Sequence, residues 1–149
     1  MNMSAQVRDW MTPNPITINS GASVGEARAT MERDDIRRLI VIDEDHALVG
    51  IISWGDVVEA WPSRFTMLAP SEARELMARV LVDEVMTEAV LSVDPETSIA
   101  EAVNLMFEHH IGALPVLEGQ RIVGILSNSD LLRGLVRIVS AGQRQDVGG

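Results

Sequence analysis

Apolar and polar positions along the chain follow one programme and then repeat it. Ile16, Thr17 and Ile18 alternate as in a short, half-buried strand. Ser23 stands three residues before Glu26, the spacing of a capping box that opens a helix, and Val24, Ala27 and Met31 then fall on one helical face. Two β-rich runs come next, Leu39–Ile42 and Val49–Ser53, with Asp43, Glu44 and Asp45 at the turn between them. A second helix is predicted from Trp54 or Gly55. Downstream the order returns. Leu91–Val93 stands for the first strand, and Ser98 and Glu101 form the capping spacing. Ile99, Ala102, Val103 and Met106 give the helical face, and Ala113–Leu117 and Ile122–Leu126 the two strands. The last predicted helix runs from Asn128 to about Val139, with Leu131, Leu132, Leu135, Val136 and Val139 as its apolar stripe.

The repetition extends to individual residues. V-R-D-W-M-T at Val7–Thr12 recurs as V-D-E-V-M-T at Val82–Thr87, 75 residues on. At that offset Ser23, Val24, Glu26, Ala27 and Met31 match Ser98, Ile99, Glu101, Ala102 and Met106, and Leu39 and Val41 match Leu114 and Val116. After one deletion near His46, G-I-I-S-W-G-D (Gly50–Asp56) matches G-I-L-S-N-S-D (Gly124–Asp130). We therefore expect one repeat over residues 7–61 and another over 82–139. Between them lies a Pro-bounded linker, 62–81, whose Ala73, Leu76, Met77 and Val80 form a short helical stripe; a polar, flexible tail, 140–149, follows. The fold class is α/β (α+β), with two β-α-β-β-α repeats. One such unit buries too little surface to be stable alone. The two are expected to pack about a pseudo-twofold axis, leaving two related clefts.

Composition narrows the function. Of 149 residues 46% are hydrophobic but only 3% aromatic, so the core is aliphatic and Met-rich. The net charge of −10 argues against nucleic acid and against anionic membranes. Without cysteine there is no disulfide, thiolate metal site or cysteine nucleophile. Met1–Asp9 holds no apolar signal core, and no apolar run approaches spanning length, so a cytoplasmic protein is expected.

The chemistry-bearing element is Gly–apolar–apolar–Ser–x–x–Asp at a strand-to-helix junction, present twice. A helix start offers free N–H groups and partial positive charge to an anion. The serine hydroxyl can meet a phosphate oxygen, and an Asp in the first turn can accept from two vicinal ribose hydroxyls. The plain alternative makes Ser53, Asp56, Ser127 and Asp130 turn and cap residues. Retention of Ser and Asp in both copies, on a diverged background, favours the ligand.

The order of these motifs, M-T first, L-I-V-I-D or L-P-V-L-E in the middle and G-I-I-S-x-x-D last, resembles a tandem cystathionine-β-synthase-type (CBS) domain pair, or Bateman module, over about Val7–Val139. The resemblance implies a non-catalytic regulatory module. It would bind AMP, ADP, ATP, NAD or S-adenosylmethionine, pair as a homodimer, and control a separate protein of unknown identity. It further implies two clefts. In the first, Asp56 holds ribose, Ser53, Gly55, Arg37 and Arg38 face phosphate, and Thr87, Leu91, Ile111 and Gly112 line the adenine. In the second, Asp130 holds ribose, Ser127 and Ser129 approach phosphate, and Thr12, Ile16 and Ile36 wall the base. Gly112 and Ala113 stand where the first copy has Arg37 and Arg38, so the second cleft is expected to bind polyphosphates more weakly.

Other residues receive plainer assignments. Arg33, Arg37 and Arg38 lie beside Glu32, Asp34 and Asp35, and such clusters are commonly neutralised among themselves. Adjacent histidines at 109 and 110 point apart on a helix, so no metal is expected. Pro115, inside a predicted strand, marks an edge or a bend. Trp10, Trp54 and Trp61 read as core or interface anchors. No G-x-S-x-G, P-loop or G-x-G-x-x-G is present, so no catalysis is expected. The competing class is a nucleotide-free dimerisation or scaffold module.

Overall fold

A computed structural model describes residues 5–63, 67–88 and 91–147. Residues 64–66 of the expected linker and 148–149 of the expected tail lie outside the described residues. The elements are α1 (Val7–Trp10), β1 (Thr12–Pro13), β2 (Thr17–Asn19), α2 (Val24–Asp34), β3 (Arg38–Ile42), β4 (Leu48–Ser53), α3 (Trp54–Ala60), α4 (Pro70–Met77), α5 (Val82–Val85), β5 (Thr87–Glu88), α6 (Ile99–Glu108), β6 (Ala113–Glu118), β7 (Arg121–Ser127) and α7 (Asn128–Val147). The architecture is mixed α+β with two sheets. Helix α7 runs eight residues past the predicted end at Val139, so the described part of the expected tail is helical. The strand expected at Leu91–Val93 contracts to a single parallel bridge, Val93 to Val116.

Two compact units emerge, residues 16–90 and residues 1–15 together with 91–149. They partition the chain differently from the sequence repeats, because each repeat's opening Met–Thr segment is exchanged. In the 16–90 unit the sheet order is β2-β3-β4-β5. Its β2 runs parallel to β3, β3 antiparallel to β4 with Arg38 opposite Ser53, and β4 antiparallel to β5 from the second repeat. In the other unit the order is β1-β7-β6, and β1 comes from the first repeat. Both β-hairpins carry an irregularity at corresponding places, Val41/Ile42 and Val116/Leu117.

Cores form where the periodicity put them. In the 16–90 unit Val24, Ala27, Met31, Leu39, Val41, Ile52, Val57, Met77 and Val82 are buried together. Val7, Val93, Ala102, Met106, Leu114, Val116 and Leu126 do the same in the other. Val103, predicted on the buried face of α6, and Leu76, predicted in the α4 stripe, are instead exposed. The α7 stripe is also largely outside the core: Leu132, Leu135, Val136 and Val139 are half or more exposed. Pro115 lies on β6 at the end of its sheet order, where its missing N–H is tolerated.

Local chemistry fixes the helix ends. Ser23 Oγ accepts from the Glu26 N–H and Ser98 Oγ from the Glu101 N–H, each at 3.1 Å. The glutamate return bond of a full capping box is absent at both, so each cap is one-sided. Helices α2 and α6 end on left-handed residues, Asp35 (φ 52°) and His110 (φ 53°). The Ile36 and Ile111 N–H groups reach back to the Met31 and Met106 carbonyls, closing each turn in the same way. His110 therefore serves a turn.

Glycine makes the segment exchange possible. A Cβ on Gly50 would sit 2.5 Å from Met86 Sδ, and one on Gly124 2.5 Å from Met11 Sδ. At Gly134 on α7 it would collide with the Trp10 ring. At the corresponding positions of the other copy stand Ala60 and Val85: the larger ring is matched to glycine, the smaller side chain to alanine. Gly134→Ala is accordingly expected to cost about 1–3 kcal/mol by overpacking. Combining it with Trp10→Val should recover much of the loss through direct coupling of the two positions. Urea unfolding of the single and double variants reads this, and a Gly134→Ala chain as stable as the parent would contradict the packing argument.

Candidate functional site

In the 16–90 unit, strand β4 ends at Ser53 and α3 begins at once. The Ser53 N–H donates to Asp56 Oδ2 at 2.8 Å, and the Asp56 N–H donates to Ser53 Oγ at 3.1 Å, a reciprocal box. The Trp54 N–H donates to the Arg37 carbonyl at 2.7 Å, fastening the helix start to the beginning of β3. Asp56 Oδ1 has no hydrogen-bond donor among the described residues, and the side chain is half-buried. Arg37 is exposed and Arg38 half-buried; neither makes an ion pair or side-chain hydrogen bond among the described residues. The neutralised cluster weighed from the sequence is thus limited to Arg33, which pairs with Asp34 at 3.1 Å. A Cβ on Gly55 would meet only Ser53 Oγ at 3.6 Å, so packing within the unit does not demand glycine there. Thr87 is exposed on β5, Ile16 is 39% exposed, and Ile36 packs against the unit's core.

The other unit repeats the junction with different bonding. Asp130 is only 3% exposed and both oxygens are engaged. Oδ2 accepts from the Ser127 N–H (2.7 Å) and hydroxyl (3.0 Å). Oδ1 accepts from the Thr12 hydroxyl and from Arg133, each at 2.7 Å. The Asn128 N–H donates to the Gly112 carbonyl at 3.0 Å, the counterpart of the Trp54–Arg37 bond. Ser129 is exposed at the start of α7, and Leu91 and Ile111 pack on the core.

The sets expected from the sequence draw on both units. Arg37, Arg38, Ser53, Gly55, Asp56 and Thr87 belong to the 16–90 unit, with Ile16 and Ile36; Thr12, Leu91, Ile111, Gly112, Ser127, Ser129 and Asp130 belong to the other. Within single units the structure brings Thr12, Ser127 and Asp130 together, and Arg38 with Ser53. Arg133, which no sequence motif singles out, bonds Asp130 from the next turn of α7. The signal was present: carried through the deletion, Arg133 corresponds to Glu59.

Trp54 and Trp61 pack against the core, and the Arg28 guanidinium lies 4.2 Å from the Trp61 ring centre and 5.8 Å from that of Trp54. With Val57, Val58, Glu59, Pro62 and Ser63 they line a groove of about 440 Å³ that includes none of Arg37, Arg38, Ser53 or Asp56. His109 and His110 join no metal-holding group of His, Asp and Glu among the described residues. No helix among the described residues is long and apolar enough to cross a membrane.

Two units with the same strand-to-helix junction, each completed by the other repeat's Met–Thr segment, define a paired-repeat domain. The chain belongs to the CBS domain family, whose model matches residues 7–63 and again 82–137. A CBS pair is a regulatory module. Uncharacterized protein MJ1404 of Methanocaldococcus jannaschii is 32% identical over 131 residues, which make up 86% of this chain and 31% of that protein. This chain thus spans about a third of that relative's length. The structure of a putative acetoin utilization protein, AcuB, of Vibrio cholerae is similar at a TM-score of 0.77 and 27% identity, covering 95% of this chain and 99% of that one. The CBS domain pair of MJ0100, solved with 5′-methylthioadenosine and S-adenosyl-L-methionine, matches at 0.71 and 26% identity over 88% and 95% of the two chains. CBSX2, solved with AMP, matches at 0.69 and 27% over 90% and 98%.

The unequal bonding of the two aspartates has a measurable consequence. Asp56→Ala removes one half of an N-terminal cap, worth about 0.5–2 kcal/mol. Asp130→Ala strands the Thr12 and Ser127 donors, and hydrogen bonds to a charged group are worth about 1.5–3 kcal/mol each. Denaturant unfolding should therefore show the larger loss for Asp130→Ala; the reverse order would refute the burial argument.

Proposed function

We propose that the chain is a non-catalytic sensor of an adenine nucleotide or adenosyl ligand that controls a separate partner protein. The observation that carries the reading is Asp56. Its carboxylate keeps one oxygen open, at a helix start, in the unit whose Arg37 and Arg38 have no carboxylate partner among the described residues. In this reading the open oxygen takes ribose hydroxyls, and Ser53, Gly55 and the two arginines take phosphate. Thr87, Leu91, Ile111 and Gly112 supply the surroundings of the base. The Asp130 set (Thr12, Ile16, Ile36, Ser127, Ser129 and Asp130) forms a second, weaker site, because its carboxylate is already engaged and Gly112 and Ala113 replace the arginines. AMP, 5′-methylthioadenosine and S-adenosylmethionine in the similar structures support an adenosyl ligand. ADP, ATP and NAD belong to the same class. The acidic, cysteine-free composition suits a cytoplasmic setting.

A ligand that binds only the folded state at about 100 times its dissociation constant adds about 2.7 kcal/mol, or roughly 5–10 °C in midpoint for a chain this size. Thermal unfolding with AMP, ADP, ATP, NAD and S-adenosylmethionine should show such a rise for at least one ligand. Calorimetry should then show Asp56→Ala weakening the tight site roughly 10- to 100-fold. Arg38→Ala should weaken AMP or ATP more than adenosine. If no ligand moves the midpoint, a nucleotide-free scaffold replaces the sensor.

The reading includes a homodimer formed by helices, supported by exposed Phe107, Leu132, Leu135 and Val136 on α6 and α7 and Val58 on α3. Light scattering at micromolar concentration is expected to give twice the chain mass; a monomer mass throughout would remove this part.

A further inference from the structure

Resting on the nucleotide reading above, we propose that Arg133 is the phosphate-selecting residue of the Asp130 site, exchanging its carboxylate partner for the ligand's anion when ribose arrives. The argument begins with a reversal of charge between the copies. In the 16–90 unit the cations precede the junction, as Arg37 and Arg38 on the approach to and start of β3, and Glu59 follows Asp56 one helical turn later. In the other unit Gly112 and Ala113 precede the junction, and Arg133 follows Asp130 at the same interval. Each junction thus has a cation, supplied from the strand side in one unit and from the helix in the other.

Geometry turns this substitution into an exchange. Asp130 Oδ1 carries two donors at 2.7 Å, the Thr12 hydroxyl and Arg133, while Oδ2 is held by Ser127. A ribose diol needs room on that carboxylate, so a donor must leave. Thr12 is held in β1, in register with Ile125. The Arg133 side chain is 62% exposed while Asp130 is only 3% exposed, so the guanidinium can swing away into water, but only as an incoming ribose diol replaces its hydrogen bond to the buried carboxylate. A guanidinium leaving Oδ1 remains beside the α7 start, where the partial positive charge of the helix N-terminus favours an anion. There it can take phosphate oxygens in the two-pronged manner of arginine. Asp130 is thus paired with Arg133, and a ligand with ribose and phosphate replaces both halves of that pair. A ligand with ribose alone must break the pair and offers the guanidinium nothing in return.

The test reads the second site by itself, in an Asp56→Ala background whose folding is checked by circular dichroism. Calorimetry is run with adenosine and with AMP. Adding Arg133→Ala is expected to weaken AMP roughly 10- to 100-fold, the loss of a charge-assisted contact. The same change should leave adenosine equal or tighter, because a competitor for Oδ1 has gone. Arg133→Gln, which can still donate to Asp130 without the charge, should lose AMP affinity while keeping the stability of the parent. Equal losses for adenosine and AMP, or no change for either, would overturn the exchange and leave Arg133 a structural partner of Asp130. If Asp56→Ala abolishes all binding while the parent chain binds AMP, this inference falls and the Asp56 sensor stands. If the parent chain binds no adenine ligand, both fall.

Discussion

The approach of each Met–Thr segment to the glycine of the opposite repeat's last strand is the constraint from which the rest of the structure follows. Met11 lies on Gly124 and Met86 on Gly50, so closely that any side chain at either glycine would collide with sulfur. A methionine is flexible enough to fill such a place, but the backbone must come near first, and only glycine allows that. Once the segments are seated, β1 and β5 complete the sheets, and Val7 and Val82 are fully buried in the two cores. The exchange leaves the 16–90 unit contiguous but gives the other unit an element from the far end of the sequence. The stability of that second unit then depends on contacts between residues more than a hundred positions apart, such as Thr12 with Asp130.

Much of this was legible in the sequence, for reasons that can be given residue by residue. The 75-residue recurrence exposed the element order, because the same burial pattern had to be written twice. Ser23 and Ser98 marked helix starts because a hydroxyl satisfying an orphan N–H is a local effect. The partition into units was not legible. Repetition says that two segments resemble one another, not which of them touch, and Trp10 matched to Gly134 becomes meaningful only when both are in place. Val103 and Leu76 fit the helical period and are nonetheless exposed, since a period specifies a face but not the width of the surface that covers it.

The site was legible in its residue types and not in its bonding. Ser, Asp and the arginines could be named, but whether a carboxylate is free or engaged depends on donors brought in by other elements. Asp56 and Asp130 occupy the same motif position and differ in what surrounds them: one is half-buried with an open oxygen, the other sealed by Thr12, Ser127 and Arg133. A buried carboxylate without partners would be costly, so the deeper burial of Asp130 requires its fuller set of donors.

Divergence between the copies therefore has a direction. A duplicated motif that only capped helices would be free to keep one bonding pattern in both places, since the two junctions have the same backbone hydrogen bonds, Trp54 to Arg37 and Asn128 to Gly112. Instead the charged residues around the two aspartates have changed together. Where the strand side has Arg37 and Arg38, an acidic Glu59 follows in the helix; where it has Gly112 and Ala113, Arg133 follows. Capping alone needs a side-chain acceptor at the helix start and is indifferent to where a cation stands. A phosphate is not indifferent, because it needs positive charge at the junction and can accept it from either side. A cation thus stands near both junctions, on different elements; at Asp130 it partners a buried carboxylate, and at Asp56 the arginines have no such partner among the described residues.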